Sequence, residues 1–286
     1  MKRDVILILD GGAMEGVFGA GIVVSFQEKN IYQHIHSIYG ISAGAHNGAY
    51  FLSENAKNGA KVYYEDLTIK NKFIKTLSFK KMVHKIKRFF IKKKTLDILN
   101  LEYLKNIEKT KTKLNQDKIE KSKIEFWIKL FNPRKMEVKW VNGKKDMLKK
   151  LKEASSAVPY ASSKKIKFFD GQIIDGLNIN EIIEKYPNKR IIIALNKKIS
   201  LLQDFKDIPY NFIRIILETR YFGIKYLLKK IKKPTNINKI KKQKNVYFIE
   251  PPYNISQLTT DKDKLYNFYK EGIKKGNECI KKLNLI

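Results

Sequence analysis

Two strand–glycine turn–helix units occupy the start of the chain, and they constrain its fold more than any other feature. Val5–Leu9 is a short, continuous apolar run, which indicates a fully buried strand. It runs into the loop DGGAMEG and a helical pattern at 17–27. A second strand is predicted at 35–39, followed by GISAG and a helix from about Ala43 to Ala56. Consecutive units of this kind predict a parallel sheet with helices on its faces.

Later segments extend this pattern along the whole chain. Further strands are predicted at 124–131, 136–141, 190–195 and 246–250, and helices at 145–155, 205–233 and 261–283. We therefore predict one domain, residues 1–286, with a three-layer α/β/α fold and a mostly parallel sheet. It carries a Lys-rich helical insert at about 60–122 and a Lys-rich helical C-terminal part at about 205–286.

Composition excludes several classes of protein. Cys279 is the only cysteine, so an internal disulfide and a cysteine-built zinc site are excluded, and a reducing compartment is indicated. No apolar run approaches the ~20 residues of a membrane span, and no secretory signal is recognised. We expect a cytoplasmic protein that is either free or peripheral on a membrane surface. The formal charge of +31 fits either a compositional drift toward lysine or an acidic partner, anionic lipid or nucleic acid.

The stretch GISAG matches the G-x-S-x-G pattern of a nucleophile on a sharp strand-to-helix turn. Such a turn leaves no room for side chains two residues before and after the serine, hence Gly40 and Gly44. Ser42 would then lie at a helix N-terminus, where backbone N–H groups favour developing negative charge. The alternative is an ordinary N-cap serine.

The glycine-rich loop at 10–16 could supply N–H donors to an oxyanion. A dinucleotide-binding fingerprint is excluded, because G-x-G-x-x-G requires glycine where Ala13 stands. No P-loop pattern occurs either.

The base that would serve Ser42 cannot be a late histidine, because the histidines are residues 34, 36, 46 and 84. His46, one helical turn beyond the serine, is better interpreted as a helix-surface or packing residue. A histidine-free dyad needs a carboxylate, and Asp175 ends the predicted strand 172–175. The neighbouring Asp170-Gly171 pair suits the type I′ turn of a tight hairpin between strands 166–169 and 172–175, so we do not expect Asp170 to be the base.

Four motifs in order, DGGAMEG, GISAG, EASSAVP (153–159) and IIDG (173–176), resemble those of the patatin-like phospholipases, in particular their bacterial stand-alone members. The resemblance covers nearly the whole chain. It implies a serine acyl hydrolase of phospholipids or other acyl lipids, without metal or organic cofactor. The roles that it implies are Ser42 as nucleophile, Asp175 as general base, Gly11, Gly12 and Ala13 as backbone oxyanion donors, and Gly16, Gly40, Gly44 and Gly176 as motif glycines.

The chain departs from the family pattern at three positions. The family usually has glycine at Ala13 and arginine at Glu15, and a small residue at Leu177. An alanine forced to positive φ costs roughly 1 kcal/mol or more. A non-catalytic membrane-surface binder on a degenerate fold therefore stays open as the alternative, and nucleic acid is the weaker partner because no known binding signature is recognised.

Segment 79–94 places apolar residues at helical spacing among eight Lys or Arg residues, with no acidic residue. Residues 221–234 and 240–244 continue this composition. The pattern is typical both of a helix that lies on an anionic membrane surface and of a core helix with a solvated lysine face. We expect residues 79–94, with Phe89 and Phe90, to contact anionic membranes.

Overall fold

The computed structural model describes residues 3–76, 78–92, 94–158, 160–161, 166–199, 201–231 and 240–285, and its strands form one seven-stranded sheet. The strands are β1 (Val5–Leu9), β2 (Ile35–Gly40), β3 (Glu125–Asn132), β4 (Glu137–Asn142), β5 (Phe169–Asp170), β6 (Arg190–Ala194) and β7 (Val246–Ile249). Their order is β4-β3-β2-β1-β6-β7, with β5 paired to β3.

Most neighbours in the sheet run parallel. β1 lies between β2 and β6, and the pairs β2–β3 and β6–β7 are parallel as well. Only β4 and β5 run antiparallel to their partner, β3. Consequently β1 and β2 end at the same edge of the sheet, and the loops that follow them are neighbours.

Helices flank the sheet, which confirms the predicted α/β class. They are α1 (Gly16–Glu28), α2 (Ala43–Leu52), α3 (Ala56–Lys61), α4 (Phe79–Lys92), α5 (Leu101–Thr110), α6 (Gln116–Lys121), α7 (Met147–Ala154), α8 (Gln172–Asp175), α9 (Asn180–Lys185), α10 (Leu201–Phe222), α11 (Ile224–Ile231) and α12 (Lys262–Lys282). Helix α1 packs on α2 and α12 in the larger core, and α9 packs on the cluster around Ile6 and Ile8. In the described part of the chain, no helix combines the length and apolarity needed to cross a membrane.

The predicted hairpin around Asp170-Gly171 is wrong. Residues 172–175 form helix α8 instead of a strand, and Gly171 has φ −66°, whereas a type I′ turn needs positive φ. Gly171 is required for a different reason: a methyl group there would lie 2.5 Å from Cγ of Lys129 on β3. Pro159 of the EASSAVP motif and residues 232–234 of the second basic segment lie outside the described residues.

Strand β5 occupies the position in the sheet where β2 stops. Gly40, the last residue of β2, pairs with Ile128, and Asp170 pairs with Leu130 further along β3. The other edge of β3 is covered by β4 along residues 127–132, so β5 pairs on the β2 side. Asp170 therefore lies next to the turn that follows β2.

Candidate active site

The turn between β2 and α2 holds Ser42 in a strained conformation. Its φ of 48° and ψ of −120° are rare for any residue other than glycine. A methyl group at Gly40 would lie 2.5 Å from Cα of Ala45, and one at Gly44 would lie 2.2 Å from the carbonyl oxygen of Leu9. The two glycines are therefore required by the sharpness of the turn.

The hydroxyl of Ser42 makes no helix-capping hydrogen bond, although the residue directly precedes α2. It hydrogen-bonds instead to the carboxylate of Asp170, which is buried. Ser42 is therefore the N-cap of α2 by position, but its side chain does not cap the helix.

Backbone hydrogen bonds hold Asp170 on both sides. Its own N–H donates to the carbonyl oxygen of Ser156 at 3.1 Å, and the N–H of Gln172 donates to Asp170 Oδ1 at 2.9 Å. Ser156 belongs to the EASSAVP motif, so this motif has a physical role in fixing the carboxylate beside the serine.

Burial raises the pKa of Asp170 above its ordinary value of 3.8. The hydrogen bonds from the Gln172 N–H and the Ser42 hydroxyl oppose this rise, as do the charges of Arg214 and Lys129. A carboxylate with a raised pKa is a stronger base than an ordinary aspartate.

Asp175 has a different environment. Its Oδ1 lies 2.7 Å from Nζ of Lys129, a side chain that is only 1% exposed. The same ammonium donates to the carbonyl oxygens of Gly176 and Asn178 at 2.9 and 3.2 Å. The sequence predicted Asp175 as the base, but the structure brings Asp170 to Ser42 and pairs Asp175 with a buried lysine. The physical reason is that residues 172–175 are helical, so Asp175 does not follow a strand.

The sequence model of one protein family, described as patatin-like phospholipase, matches residues 7–274 of the chain. The chain belongs to the patatin-like phospholipase family. This membership implies lipid acyl hydrolase activity in general. The crystal structure of VipD from Legionella pneumophila is similar to the chain with 11% sequence identity and a TM-score of 0.45, over 98% of this chain and 67% of that one. No curated protein matches the chain.

The loop that patatin-like sequences carry after the first strand approaches the serine closely here as well. A methyl group at Gly11 would lie 3.0 Å from Cβ of Ser42. The N–H of Gly11 donates to Oδ1 of Asp10 at 2.8 Å and is therefore engaged. Within the residues that the structure describes, the N–H groups of Gly12 and Ala13 have no hydrogen-bond partner. These two of the three predicted donors can therefore donate hydrogen bonds to an anion.

The departures from the patatin-like pattern can now be located. Ala13 has φ 49°, the strained conformation anticipated for it, beside Gly12 at φ 129°. Glu15 is buried and lines the cavity in front of Ser42. Leu177 packs in the core cluster around Ile6 and Ile8.

Asn196 braces the glycine-rich loop, and sequence reasoning missed it. It is buried, and its Nδ2 donates to the carbonyl oxygens of Asp10 and Gly11 at 2.7 and 2.9 Å. Its Oδ1 accepts the N–H of Gly19 at 2.9 Å, which ties the loop to helix α1. Its position two residues after β6, the strand that pairs with β1, is the only signal in the sequence.

A cavity of about 820 Å³ opens in front of Ser42 and Asp170. This volume lies within the ordinary range of ligand pockets. Most of its wall away from the serine is apolar and comes from the insert and neighbouring segments, through Val62, Leu67, Phe73, Leu99, Leu101, Leu104, Val158, Ile174 and Ile215.

His46 also lines this cavity, so it is not a surface residue. Its Nδ1 contacts the carboxylate of Glu108, and its Nε2 lies 2.6 Å from Oγ of Ser155. Glu108 and Ser155 line the same cavity.

Exposed apolar side chains concentrate on α4, α10 and α11. These helices carry nine of the thirteen large hydrophobic residues that are exposed in the described part of the chain: Val83, Ile86, Phe90, Ile91, Phe212, Ile213, Ile216, Ile224 and Leu228. Phe89 is fully buried and stacks on Tyr221, so its predicted contact with a membrane is wrong. Helices α10 and α11 also reach the cavity, through Arg214 and Lys230.

Proposed function

We propose that the protein is a serine acyl hydrolase that cleaves lipid esters with a Ser42–Asp170 dyad. The observation that carries this proposal is the hydrogen bond from the hydroxyl of Ser42, held in a strained turn, to the buried carboxylate of Asp170. Strained conformations of this kind persist where the surrounding structure fixes them, and they cluster at active sites.

In the proposed reaction, Ser42 Oγ attacks the ester carbonyl carbon while its proton passes to the carboxylate of Asp170. The N–H groups of Gly12 and Ala13 stabilise the oxyanion, together with the N-terminus of α2. The protonated Asp170 then gives its proton to the leaving alkoxide, and an acyl-enzyme remains. Water, deprotonated by Asp170, releases the fatty acid and restores the serine.

The apolar wall of the cavity supports a substrate with a long acyl chain. Aliphatic side chains along the insert would remove the chain from water, at about 0.8 kcal/mol for each buried CH₂ group. A phospholipid or lysophospholipid has such a chain next to its ester carbonyl.

Release of fatty acid from phospholipid and lysophospholipid substrates tests this proposal, with Ser42→Ala as the decisive variant. We expect the variant to lose at least a hundredfold in kcat/KM. Ser53→Ala is a matched control, because Ser53 lies at the other end of α2 and its hydroxyl only donates to the carbonyl oxygen of Tyr50. No hydrolysis by the folded wild-type protein would favour the alternative, a non-catalytic membrane-surface binder.

We propose further that the exposed apolar residues of α4, α10 and α11 place the cavity on an anionic membrane. Within α4, Phe90 and Ile91 are 39% and 64% exposed, and the helix carries lysines and one arginine but no acid. Each basic residue near an anionic surface contributes about 1 kcal/mol, and this attraction fades within roughly 8 Å at physiological salt.

Vesicle flotation across a salt series tests this second proposal. We expect stronger flotation with anionic than with neutral vesicles, a decrease as salt rises, and a remainder at high salt that Phe90→Ser with Ile91→Ser removes. Ile69→Ser is the control, because Ile69 is similarly exposed but lies outside these helices. Equal flotation with both vesicle types, or none, would contradict membrane binding by this surface.

A further inference from the structure

We propose that Ser155 is a second reactive serine, activated by His46 and Glu108 in the wall of the same cavity. The three side chains come from separate elements: His46 from α2, Glu108 from α5, and Ser155 from the residue that follows α7. None of them takes part in the Ser42–Asp170 dyad, although the substrate class inferred below for Ser155 rests on the function proposed above.

The hydrogen bonds run in one direction through the three groups. A carboxylate only accepts hydrogen bonds, so the Glu108 contact places the proton of the neutral His46 ring on Nδ1. In that tautomer Nε2 is an acceptor, and Ser155 Oγ, 2.6 Å away, is placed to donate to it. A serine that donates to an imidazole oriented by a carboxylate is the arrangement that activates serine nucleophiles on unrelated folds.

The three side chains differ in their exposure to solvent: the two supporting groups are buried, whereas the serine is accessible, as a nucleophile must be. Glu108 and His46 are 2% and 5% exposed, whereas Ser155 is partly exposed. All three line the cavity of about 820 Å³ that also contains Ser42. A trio that served the fold alone would have no need to present its hydroxyl to a cavity.

The position relative to Ser42 defines the substrate class. Ser42 directly precedes α2 and His46 lies in the first turn of that helix, and both residues line the same cavity. An acyl ester that enters the cavity for Ser42 would therefore pass Ser155 as well. The second serine is expected to take the same class of substrate, carboxylic esters with an apolar acyl chain.

The step would proceed without any added reactant. Ser155 Oγ bonds to the carbonyl carbon and its proton moves to His46 Nε2. The alkoxide leaves with that proton, and water later releases the acid through the same imidazole. With diisopropyl fluorophosphate as probe, Oγ bonds to phosphorus, the P–F bond breaks, fluoride leaves, and the proton passes to Nε2.

Labelling with this probe in the Ser42→Ala protein tests the proposal, with peptide mass spectrometry to locate the adduct. We expect an adduct on Ser155 in the Ser42→Ala protein. The adduct should be lost in the double variant that also carries Ser155→Ala, and it should be unchanged in the double variant that also carries Ser156→Ala. The Ser156 hydroxyl, which donates to the carbonyl oxygen of Lys152, is the matched control. We expect Glu108→Gln and His46→Gln to slow Ser155 labelling at least tenfold, in proteins whose thermal unfolding confirms that they fold.

Two results would overturn the proposal: no adduct on Ser155 in the folded Ser42→Ala protein, or labelling of Ser155 whose rate is unaffected by Glu108→Gln. Glu108→Gln keeps the size of the side chain and an acceptor oxygen, so it tests the charge with the least disturbance. Failure of the dyad proposal would be seen separately, as the absence of a Ser42 adduct in the wild-type protein.

Discussion

The segments Asp170-Gly171 and Asp175-Gly176 contain the same dipeptide on either side of helix α8, yet their carboxylates have different partners. Asp170 ends a short strand on the β2 edge of β3 and accepts a hydrogen bond from Ser42. Asp175 ends the helix and pairs with the buried ammonium of Lys129. The comparison teaches that strand register, and not the dipeptide, decides which aspartate meets the serine.

The largest expected difference between the two aspartates is in turnover. Asp170→Asn should lower kcat/KM for ester hydrolysis by about 10²–10⁴-fold, the usual contribution of a general base. Asp175→Asn should lower it by less than tenfold, because its carboxylate pairs with the buried ammonium of Lys129. Steady-state hydrolysis by both variants measures this, and a greater loss in Asp175→Asn would return the base to the sequence-based prediction.

Stability should respond in the opposite order. Asp175→Asn leaves the buried ammonium of Lys129 without its carboxylate, and we expect a loss of about 3 kcal/mol in the free energy of unfolding. Asp170→Asn should leave stability at pH 7 unchanged or higher. The folded pKa of Asp170 is raised, so the stability it contributes is present below 3.8 and lost as pH rises through the folded pKa. Urea unfolding at pH 7 compares the two, and equal losses would show that they have similar environments.

The pH dependence of turnover follows from the same shift. Because Asp170 must be deprotonated to act as base, kcat/KM should fall on the acid side, with a midpoint above the ordinary aspartate value of 3.8. The pH–rate profile of the wild type measures this midpoint, with Asp175→Asn as control. If the midpoint of the acid limb moved in Asp175→Asn, the titrating group would be Asp175 and not Asp170, which would contradict this prediction.

Much of the site's frame could be predicted from the sequence, since β1, β2, α1 and the serine turn lie in local patterns of apolar runs and glycines. The base that we propose, Asp170, could not be predicted. Asp170 ends a strand of only two residues, whose place is set by pairing with β3, and residues 172–175 fit a strand or a helical turn equally well. The partner of His46, Glu108, is 62 residues distant in the chain, so no local pattern indicates it.

The smallest expected effect concerns Ala13 in the glycine-rich loop that follows β1. Ala13→Gly should raise the free energy of unfolding by up to about 1 kcal/mol, because glycine adopts the positive φ of this position without strain. Ala45→Gly in α2 is the control and should lower stability by a similar amount, because glycine is unfavourable inside a helix. Thermal unfolding checks both, and a loss of stability in Ala13→Gly would mean that the loop is not strained at this residue.

The central claim is that Asp170 activates Ser42, and the rate of fluorophosphonate labelling at Ser42 tests it most directly. The rate constant should be compared in the wild type, Asp170→Asn and Asp175→Asn proteins, with the adduct located by peptide mass spectrometry. We predict a decrease of at least a hundredfold in Asp170→Asn and a change of less than about threefold in Asp175→Asn. Equal rates in the wild type and Asp170→Asn, or a selective decrease in Asp175→Asn, would contradict the account.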